Sequence, residues 1–283
     1  MRVVVTGSSG KIGREAVKAL AAAGHRVVGL DTKPGADQFR TLAVDCSDFG
    51  QVFGALSGVD NFSRTPDAVV HLAAIPGPGQ APDHVTFDVN TMSTYSVLSS
   101  CARLGIQRVV WSSSETLFKM PWGDENPPTF LPVDETSPEG PQFHYALAKQ
   151  VGERLADAFV EWQQGMSIAS LRFGNVFSLG DRATLAGIQE NPAGRRANLF
   201  GYVDAADAGE ACRLAVEAGF VGHHRLLIAA ADTIVDIPTR ELCARYFPGV
   251  PVREPLDGYA SLYSTARARE LIGYEPRVSW RQW

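Results

Sequence analysis

The stretch Thr6-Gly7-Ser8-Ser9-Gly10-Lys11-Ile12-Gly13 decides the fold. It follows the β-branched run Val3-Val4-Val5 and opens an amphipathic stretch over residues 11–23, so its glycines fall on a strand-to-helix turn. Each glycine has a physical task there. Gly7 permits the tight turn, Gly10 lets the backbone approach a pyrophosphate, and Gly13 lets the helix pack closely on the strand. The helix N-terminus then offers free N–H groups and the positive end of its dipole to phosphates. A strand-to-helix turn of purely structural purpose is the alternative reading of the same residues.

Working outward, short β-branched runs alternate with longer helical patterns. Residues 3–5, 26–30, 41–44, 68–72 and 108–112 read as buried strands, and 11–23, 49–56 and 84–104 as amphipathic helices. This rhythm predicts a parallel sheet covered by helices on both faces, an α/β doubly wound (Rossmann) fold. It loosens after about residue 114. Residues 119–141 carry six of the 17 prolines, and Trp122 and Phe130 equip that loop either to close over a ligand or to pack as a surface excursion. Beyond it the pattern predicts a helix over 142–163 and strands over 167–173, 199–203 and 224–228. Further helices are expected over 204–217, capped by Asp204, and near 238–246 and 265–272. The expected division is a cofactor domain over 1–172, to which 199–218 return, and a small C-terminal α/β substrate lobe built from 173–198 and 219–283.

Composition excludes several classes. The chain has 283 residues, 45% hydrophobic and 20% charged, which rules against disorder, collagen and coiled coil. A net charge of −5 gives no basic surface for nucleic acid or an anionic membrane. The apolar runs at 69–75, interrupted by His71, and 226–231 are too short to span a bilayer. Met1-Arg2-Val3-Val4-Val5 breaks into Thr6-Gly7 before a secretory leader could form. The sequon Asn61-Phe62-Ser63 is therefore taken as chance. Cys46, Cys101, Cys212 and Cys243 are far apart without a C-x-x-C, which predicts reduced thiols of a cytoplasmic protein, with no disulfide frame and no metal site.

Two further groups carry chemistry. Asp31 ends the second strand, 18 residues after Gly13, where an acid can accept both ribose hydroxyls of an adenosine and repel a 2′-phosphate. Lys33 would soften that preference, and a plain turn acid before Pro34-Gly35 is the other reading of Asp31. Asp45, with Cys46 beside it, is a weaker candidate near the adenine. Tyr145 and Lys149 stand four apart on one helical face, where an ammonium would favour the phenolate and make Tyr145 a usable general base. The strand ending Ser112-Ser113-Ser114 delivers hydroxyls to the carboxyl edge of the sheet, where ligands gather; capping of that edge is the simpler explanation for them.

In order along the chain stand Gly7-x-x-Gly10-x-x-Gly13, Asp31, His71-Leu72-Ala73-Ala74, Asn90, Ser112-Ser113-Ser114, Pro132-Val133-Asp134-Glu135, Tyr145-x-x-x-Lys149, Leu171-Arg172-x-x-Asn175 and Tyr202-Val203-Asp204. Together they resemble the extended short-chain dehydrogenase/reductases, the NAD-dependent epimerase/dehydratase family. The resemblance implies NAD as cofactor and Ser114, Tyr145 and Lys149 as catalytic triad. It implies cofactor contacts from Gly7, Ser9, Gly10, Lys11, Ile12, Gly13, Asp31, Asp45, Cys46, Leu72, Ala73, Ala74, Asn90 and Ser112, with Tyr145 and Lys149. His71 reads as strand core. It also implies a homodimer through a four-helix bundle made by the 88–104 and 142–163 stretches of each subunit.

For the substrate, the resemblance narrows the chemistry. Sugar dehydratases of the family place an Asp-Glu pair after the catalytic hydroxyl, whereas this chain has Glu115-Thr116. Elimination is therefore disfavoured, and the threonine keeps 4-epimerisation open. Epimerases acting on nucleotide sugars build much of their pocket between Arg-x-x-Asn and Tyr-Val-Asp. Here Asn175 to Tyr202 spans only 27 residues. A smaller substrate is expected, a free sugar or a sugar acid, contacted by Ile75, Ser114, Glu115 and Asn175. Leu171-Arg172-Phe173-Gly174 is similar to uronate dehydrogenases, in which a downstream arginine grips the carboxylate. Arg182 is the nearest match by order, Arg195 and Arg196 are its rivals, and Glu115 would repel such a carboxylate. A dinucleotide-binding regulator without turnover is the reading from another class. Retention of both Tyr145 and Lys149 argues against it.

Overall fold

The computed structural model describes residues 1–33, 39–58 and 64–283. The sequon at 61–63 and the Pro34-Gly35 pair lie outside the described residues. In chain order the elements are β1 (Arg2–Thr6), α1 (Lys11–Ala22), β2 (Arg26–Asp31), β3 (Thr41–Ala43), α2 (Phe49–Leu56), β4 (Ala68–His71), α3 (Asp83–Leu104) and β5 (Arg108–Ser114). They continue with α4 (His144–Trp162), β6 (Ser167–Phe173), β7 (Val176–Phe177), α5 (Arg182–Glu190), β8 (Val203–Asp204), α6 (Ala205–Glu217), β9 (Gly222–Ile228), α7 (Thr239–Tyr246) and α8 (Ala266–Ile272). Seven strands form one parallel sheet in the order β3-β2-β1-β4-β5-β6-β9. The order reverses between β1 and β4, and at that reversal the strand ends splay to leave a crevice for ligands.

Period-two alternation distributes the strands between two cores. Val3 and Val5 of β1 pack with Val17 and Leu20 of α1 and with Ala211 and Cys212 of α6. Val4 faces the opposite layer, with Val52, Val97, Leu98, Trp111 and Phe159. A third cluster belongs to the C-terminal region. It gathers Phe118, Trp122, Leu131, Phe200, Tyr202 and Tyr263 with Leu242 and Phe247. Asp204 caps α6 as expected, its Oδ1 accepting from the Ala206 N–H at 2.7 Å. Cys46, Cys101 and Cys212 are buried and Cys243 is half-buried, all four as free thiols. No helix among the described residues is long and apolar enough to cross a membrane.

Three expectations are corrected. The apolar stretch 199–203 is not a strand. A 3₁₀ helix over Pro192–Asn198 leads into Leu199 and Phe200, both at φ +56°, and only Val203 and Asp204 pair, with β7. Leu199 and Phe200 read as strand because they are apolar; they are apolar because they are fully buried in the C-terminal cluster. Residues 219–283 are not wholly a lobe, since β9 completes the main sheet beside β6. Of the two readings of the proline-rich loop, closure over the crevice is not seen: none of its residues lines the cavity. Its backbone is paired to the C-terminal segment: Leu131 N–H to Pro251 O and Val133 N–H to Leu262 O, both 2.8 Å. Trp122 and Phe130 are buried in that seam.

Candidate active site

The glycine turn behaves as steric reasoning requires. Gly7 sits at φ +64°, and a Cβ on it would lie 2.7 Å from the Ala73 backbone nitrogen. A Cβ on Gly13 would lie 2.1 Å from the Gly7 carbonyl oxygen, so α1 can approach β1 this closely only with glycine there. Gly10 occupies the N-cap of α1 and no side chain caps the helix. The first-turn N–H groups thus face the crevice with the dipole behind them, a setting that attracts phosphate.

Asp31 is tied into the same turn. Its Oδ2 accepts from the Ser9 N–H at 3.0 Å and its Oδ1 from the Lys33 N–H at 2.9 Å. A carboxylate has about four acceptor positions, so two remain for ribose hydroxyls. Asp45 and Cys46 line the same end of the crevice. The Asp45 carboxylate is engaged by the Ser47 N–H and hydroxyl at 2.9 and 2.7 Å, and burial pushes the Cys46 thiol up to about 12. Lys11 lines the cavity and its Nζ donates to Asp181 Oδ2 at 2.7 Å, bridging the turn to the segment before α5.

Below the turn, Thr6 Oγ1 accepts from the Leu72 and Ala73 N–H groups at 3.2 and 3.1 Å. Its own proton is therefore directed to His71 Nδ1 at 2.7 Å. Burial, helped by the charge of Lys149, pushes His71 down to about 3, so it is a neutral strand residue. Leu72, Ala73, Ala74 and Ile75 line the cavity. Asn90 does not: its amide clamps the Ile75 backbone, accepting from N–H at 2.7 Å and donating to O at 3.1 Å. Asn90 thus shapes the cavity wall without lining it. Ser9 also lies outside the lining, acting on it through Asp31.

At the other end, β5 and α4 bring Ser112, Ser114, Tyr145 and Lys149 together in one cavity wall. Lys149 is buried, and its Nζ donates to Ser112 O at 2.5 Å and Ser112 Oγ at 3.2 Å. Ser114 Oγ accepts from the Thr116 N–H at 3.2 Å and from the Thr116 hydroxyl at 3.0 Å. With both acceptor positions taken, Ser114 has its own O–H to give, and it faces Tyr145. The expected lowering of the phenol by the neighbouring ammonium does not occur in the chain alone. Burial pushes Tyr145 up to about 12, the Ser114 hydrogen bond pulls it down, and Glu115 pushes it further up. Burial likewise pushes Lys149 down to about 7. A positive charge brought into the cavity is what would return Tyr145 towards neutrality.

The arginines sort differently from expectation. Arg182 is exposed on the first turn of α5 and does not line the cavity. Arg196 is held by Asp124, at 2.5 and 3.1 Å, and by the Tyr246 carbonyl at 2.8 Å. Arg195 donates to the Gly201 carbonyl at 2.9 Å and lies near Glu115, whose ionised form its charge favours. Glu115 is 4% exposed and lines the cavity beside Ser114, with Asn175 and Phe173 also in the wall. Asn198 and Tyr263, which contact Glu115, were missed from the sequence: neither lies in a motif, and Tyr263 is far along the chain. Pro76, Gly77 and Pro78 line the cavity too, and their place directly after Ile75 was a signal that could have found them.

The cavity holds about 700 Å³ and runs from Asp31 and Asp45, past the glycine turn, to Tyr145 and Glu115. These residues fit a dinucleotide. The turn is a cradle that a Cβ would fill, an uncapped helix N-terminus faces the middle, and a carboxylate with spare acceptor positions stands at one end. A model of the NAD dependent epimerase/dehydratase family matches residues 3–225. L-arabinose 1-dehydrogenase (NAD(P)(+)) of Haloferax volcanii is 28% identical over 284 residues, covering 98% of this chain and 96% of that protein. UDP-glucose 4-epimerase of Mycolicibacterium smegmatis is also 28% identical, over 314 residues, covering 99% and 95%. A solved short-chain dehydrogenase/reductase superfamily protein from Agrobacterium tumefaciens, with bound NAD, shares the fold at a TM-score of 0.74 and 22% identity, covering 100% of this chain and 94% of that one.

Proposed function

The chain belongs to the NAD-dependent epimerase/dehydratase family, and from that premise we propose that it oxidises or reduces a hydroxyl carbon of a small sugar or sugar acid that carries no nucleotide. The cofactor of the family is NAD, and when bound in its oxidised form it would supply the two-electron acceptor and a positive charge. Gly7, Gly10, Gly13 and the first turn of α1 would hold its phosphates and Asp31 its adenosine ribose. Ser114 donates its O–H to the reacting substrate oxygen, and Tyr145 removes or returns the proton on that oxygen. Lys149 holds the wall through Ser112, and the charge that favours the phenolate is the one an oxidised cofactor would bring.

The observation that carries the small substrate is the shortness of the 175–202 segment. It folds as β7, α5 and a 3₁₀ helix, with Phe177, Leu185, Leu199 and Phe200 in the C-terminal core and only Asn175 and Val176 in the cavity lining. The 4-epimerase is the second reading, favoured by the Thr116–Ser114 hydrogen bonds at the position where such enzymes carry threonine. Incubation with NAD and L-arabinose, D-galacturonate or UDP-glucose, followed at the NADH absorbance, tests the proposal together with calorimetric titration of UDP-glucose. NADH formation with a free sugar is the expected result. Micromolar UDP-glucose binding with no free-sugar turnover would return the epimerase to first place.

We also propose a homodimer through α3 and α4. Met92 and Tyr95 on α3 and Leu147 and Trp162 on α4 are exposed apolar side chains on two helices that pack side by side. Light scattering on the purified chain should give twice the monomer mass; a monomer at micromolar concentration overturns this.

A further inference from the structure

Glu115 is an acid where the mechanism above uses none. It lines the cavity next to Ser114, is 4% exposed, and its Oε2 has no hydrogen-bond partner. Behind it stand the Tyr263 hydroxyl, the Asn198 amide, the Asn175 backbone and the Arg195 guanidinium. The Tyr263 hydroxyl also reaches Met120 Sδ at 3.8 Å, so it can rotate between the two acceptors. Tyr145 on α4 is the other titratable group that Glu115 influences. A buried carboxylate oxygen without a donor is a strong acceptor awaiting one.

We propose that Glu115, backed by Arg195, Asn198 and Tyr263, reads a neutral sugar by accepting a hydrogen bond from one of its hydroxyls, and that it rejects sugar acids. This rests on the dehydrogenase reading above and narrows its substrate to neutral sugars. The charge logic runs one way. Arg195, the one of the three candidate arginines whose charge acts on Glu115, favours the ionised form of that acid, so a substrate carboxylate there would compete with Glu115 for the same guanidinium. A hydroxyl in the cavity brings a donor to the Glu115 carboxylate. A carboxylate brings a second negative charge into a low-dielectric cavity, and like charges held there repel.

Burial pushes Glu115 up to about 7, against the downward pull of Tyr263, Arg195, Asn198 and the Asn175 backbone. Selectivity is therefore pH-dependent with a defined sign. Below about 7 Glu115 is protonated and tolerates an acid; above it Glu115 is charged and excludes one.

The test measures kcat/KM of the wild type for L-arabinose and D-galacturonate from pH 6 to 8.5. The expected result is an arabinose-to-galacturonate ratio that grows as pH rises through about 7. In Glu115→Gln the ratio at pH 8 should fall at least about tenfold, the scale of one removed repulsion, and lose its pH dependence. NAD binding by calorimetry confirms that the variant is folded. A wild-type ratio that stays flat while arabinose is turned over overturns this inference and leaves the dehydrogenase reading standing. A higher kcat/KM for galacturonate at pH 8 overturns it as well. Turnover of neither sugar, with tight UDP-glucose binding, overturns both.

Discussion

Replacing Glu153 by glutamine removes one charge from a buried ion cluster behind the candidate site. Glu153 is 2% exposed and Arg172 fully buried. Glu153 Oε1 accepts from the Ser113 hydroxyl at 2.7 Å and from Arg172 Nε at 2.8 Å. Its Oε2 accepts from Arg172 Nη2 and Arg225 Nε, both at 2.7 Å. A glutamine oxygen can keep one pair of these bonds. Its amide must point two N–H donors at two guanidinium donors, so the other pair is lost. Two charge-assisted bonds at about 1.5–3 kcal/mol each suggest a loss of roughly 3–5 kcal/mol, the scale seen when a buried pair loses one partner. For 283 residues the unfolding entropy is about 0.6 kcal/mol per kelvin, so the midpoint should drop by about 5–8 °C at pH 7.

The effect has a pH signature. Burial pushes the Glu153 carboxyl up, but Arg172, Ser113 and Arg225 outweigh it and hold the group below its ordinary range. Its stabilisation is therefore present above the ordinary carboxylate range and is lost as pH falls below it. The two melting curves, followed by circular dichroism, should converge on acidification. A midpoint change under about 2 °C at pH 7, or a gap that widens in acid, would refute the reasoning. Replacing Glu153 and Arg172 together by leucine and methionine should recover part of the loss: Arg225 keeps its pair with Asp157, and the carboxylate that loses its partner, Glu139, is part-exposed and can be hydrated.

Three further outcomes are expected. Gly13→Ala should weaken NAD binding at least about tenfold by calorimetry, since its Cβ would lie 2.1 Å from the Gly7 carbonyl and only a backbone shift relieves that; unchanged affinity refutes the turn geometry. Asp31→Ala should lower the preference for NAD over NADP in titrations of both, and a wild type that prefers NADP would sink the ribose assignment. Tyr145→Phe should preserve the NAD dissociation constant and cut turnover by roughly 10²-fold or more, so wild-type turnover in that variant would remove Tyr145 from the chemistry.

What was legible in the sequence is what short-range geometry encodes. The glycine turn, the strand-helix alternation and the Tyr145–Lys149 spacing each express a constraint within a few residues. Their elements appear within one or two residues of expectation. The misreadings have the opposite character. Phe200 is apolar because it packs against Tyr246 and Phe247, with Leu199 buried in the same cluster, and local periodicity cannot distinguish that from a strand. α5 buries only Leu185, so its helical pattern gives almost no signal. Arg182 was chosen by order along the chain. Which arginine stands by Glu115 depends on how the 3₁₀ segment turns, and that depends on the distant C-terminal core. Asn90 stands behind the wall, clamping the Ile75 backbone, and an amide that clamps a backbone has the same sequence signature as one that touches a cofactor.

The acid–base pair and the ion cluster are one construction, because α4 carries both on a single face. Tyr145, Lys149 and Glu153 are spaced by four, so any rotation or lift of the helix moves all three together. Gly152 sets how closely that face approaches β5: a Cβ there would lie 2.5 Å from the Trp111 ring. Trp111 cannot retreat, since its Nε1 bonds Ser170 on the neighbouring strand and the ring is buried. The close approach is what lets Lys149 reach the Ser112 carbonyl, while Glu153 takes the hydroxyl of the next residue, Ser113. Arg172 and Arg225, from β6 and β9, then lock Glu153 from the far side. The register of α4 against β5 is thus held at three successive strand residues, Trp111, Ser112 and Ser113. The fourth, Ser114, projects its hydroxyl towards Tyr145. Positioning of the reacting hydroxyls is in this sense a consequence of core packing and buried charge, and substitutions in the cluster behind the wall should disturb turnover before they disturb cofactor affinity.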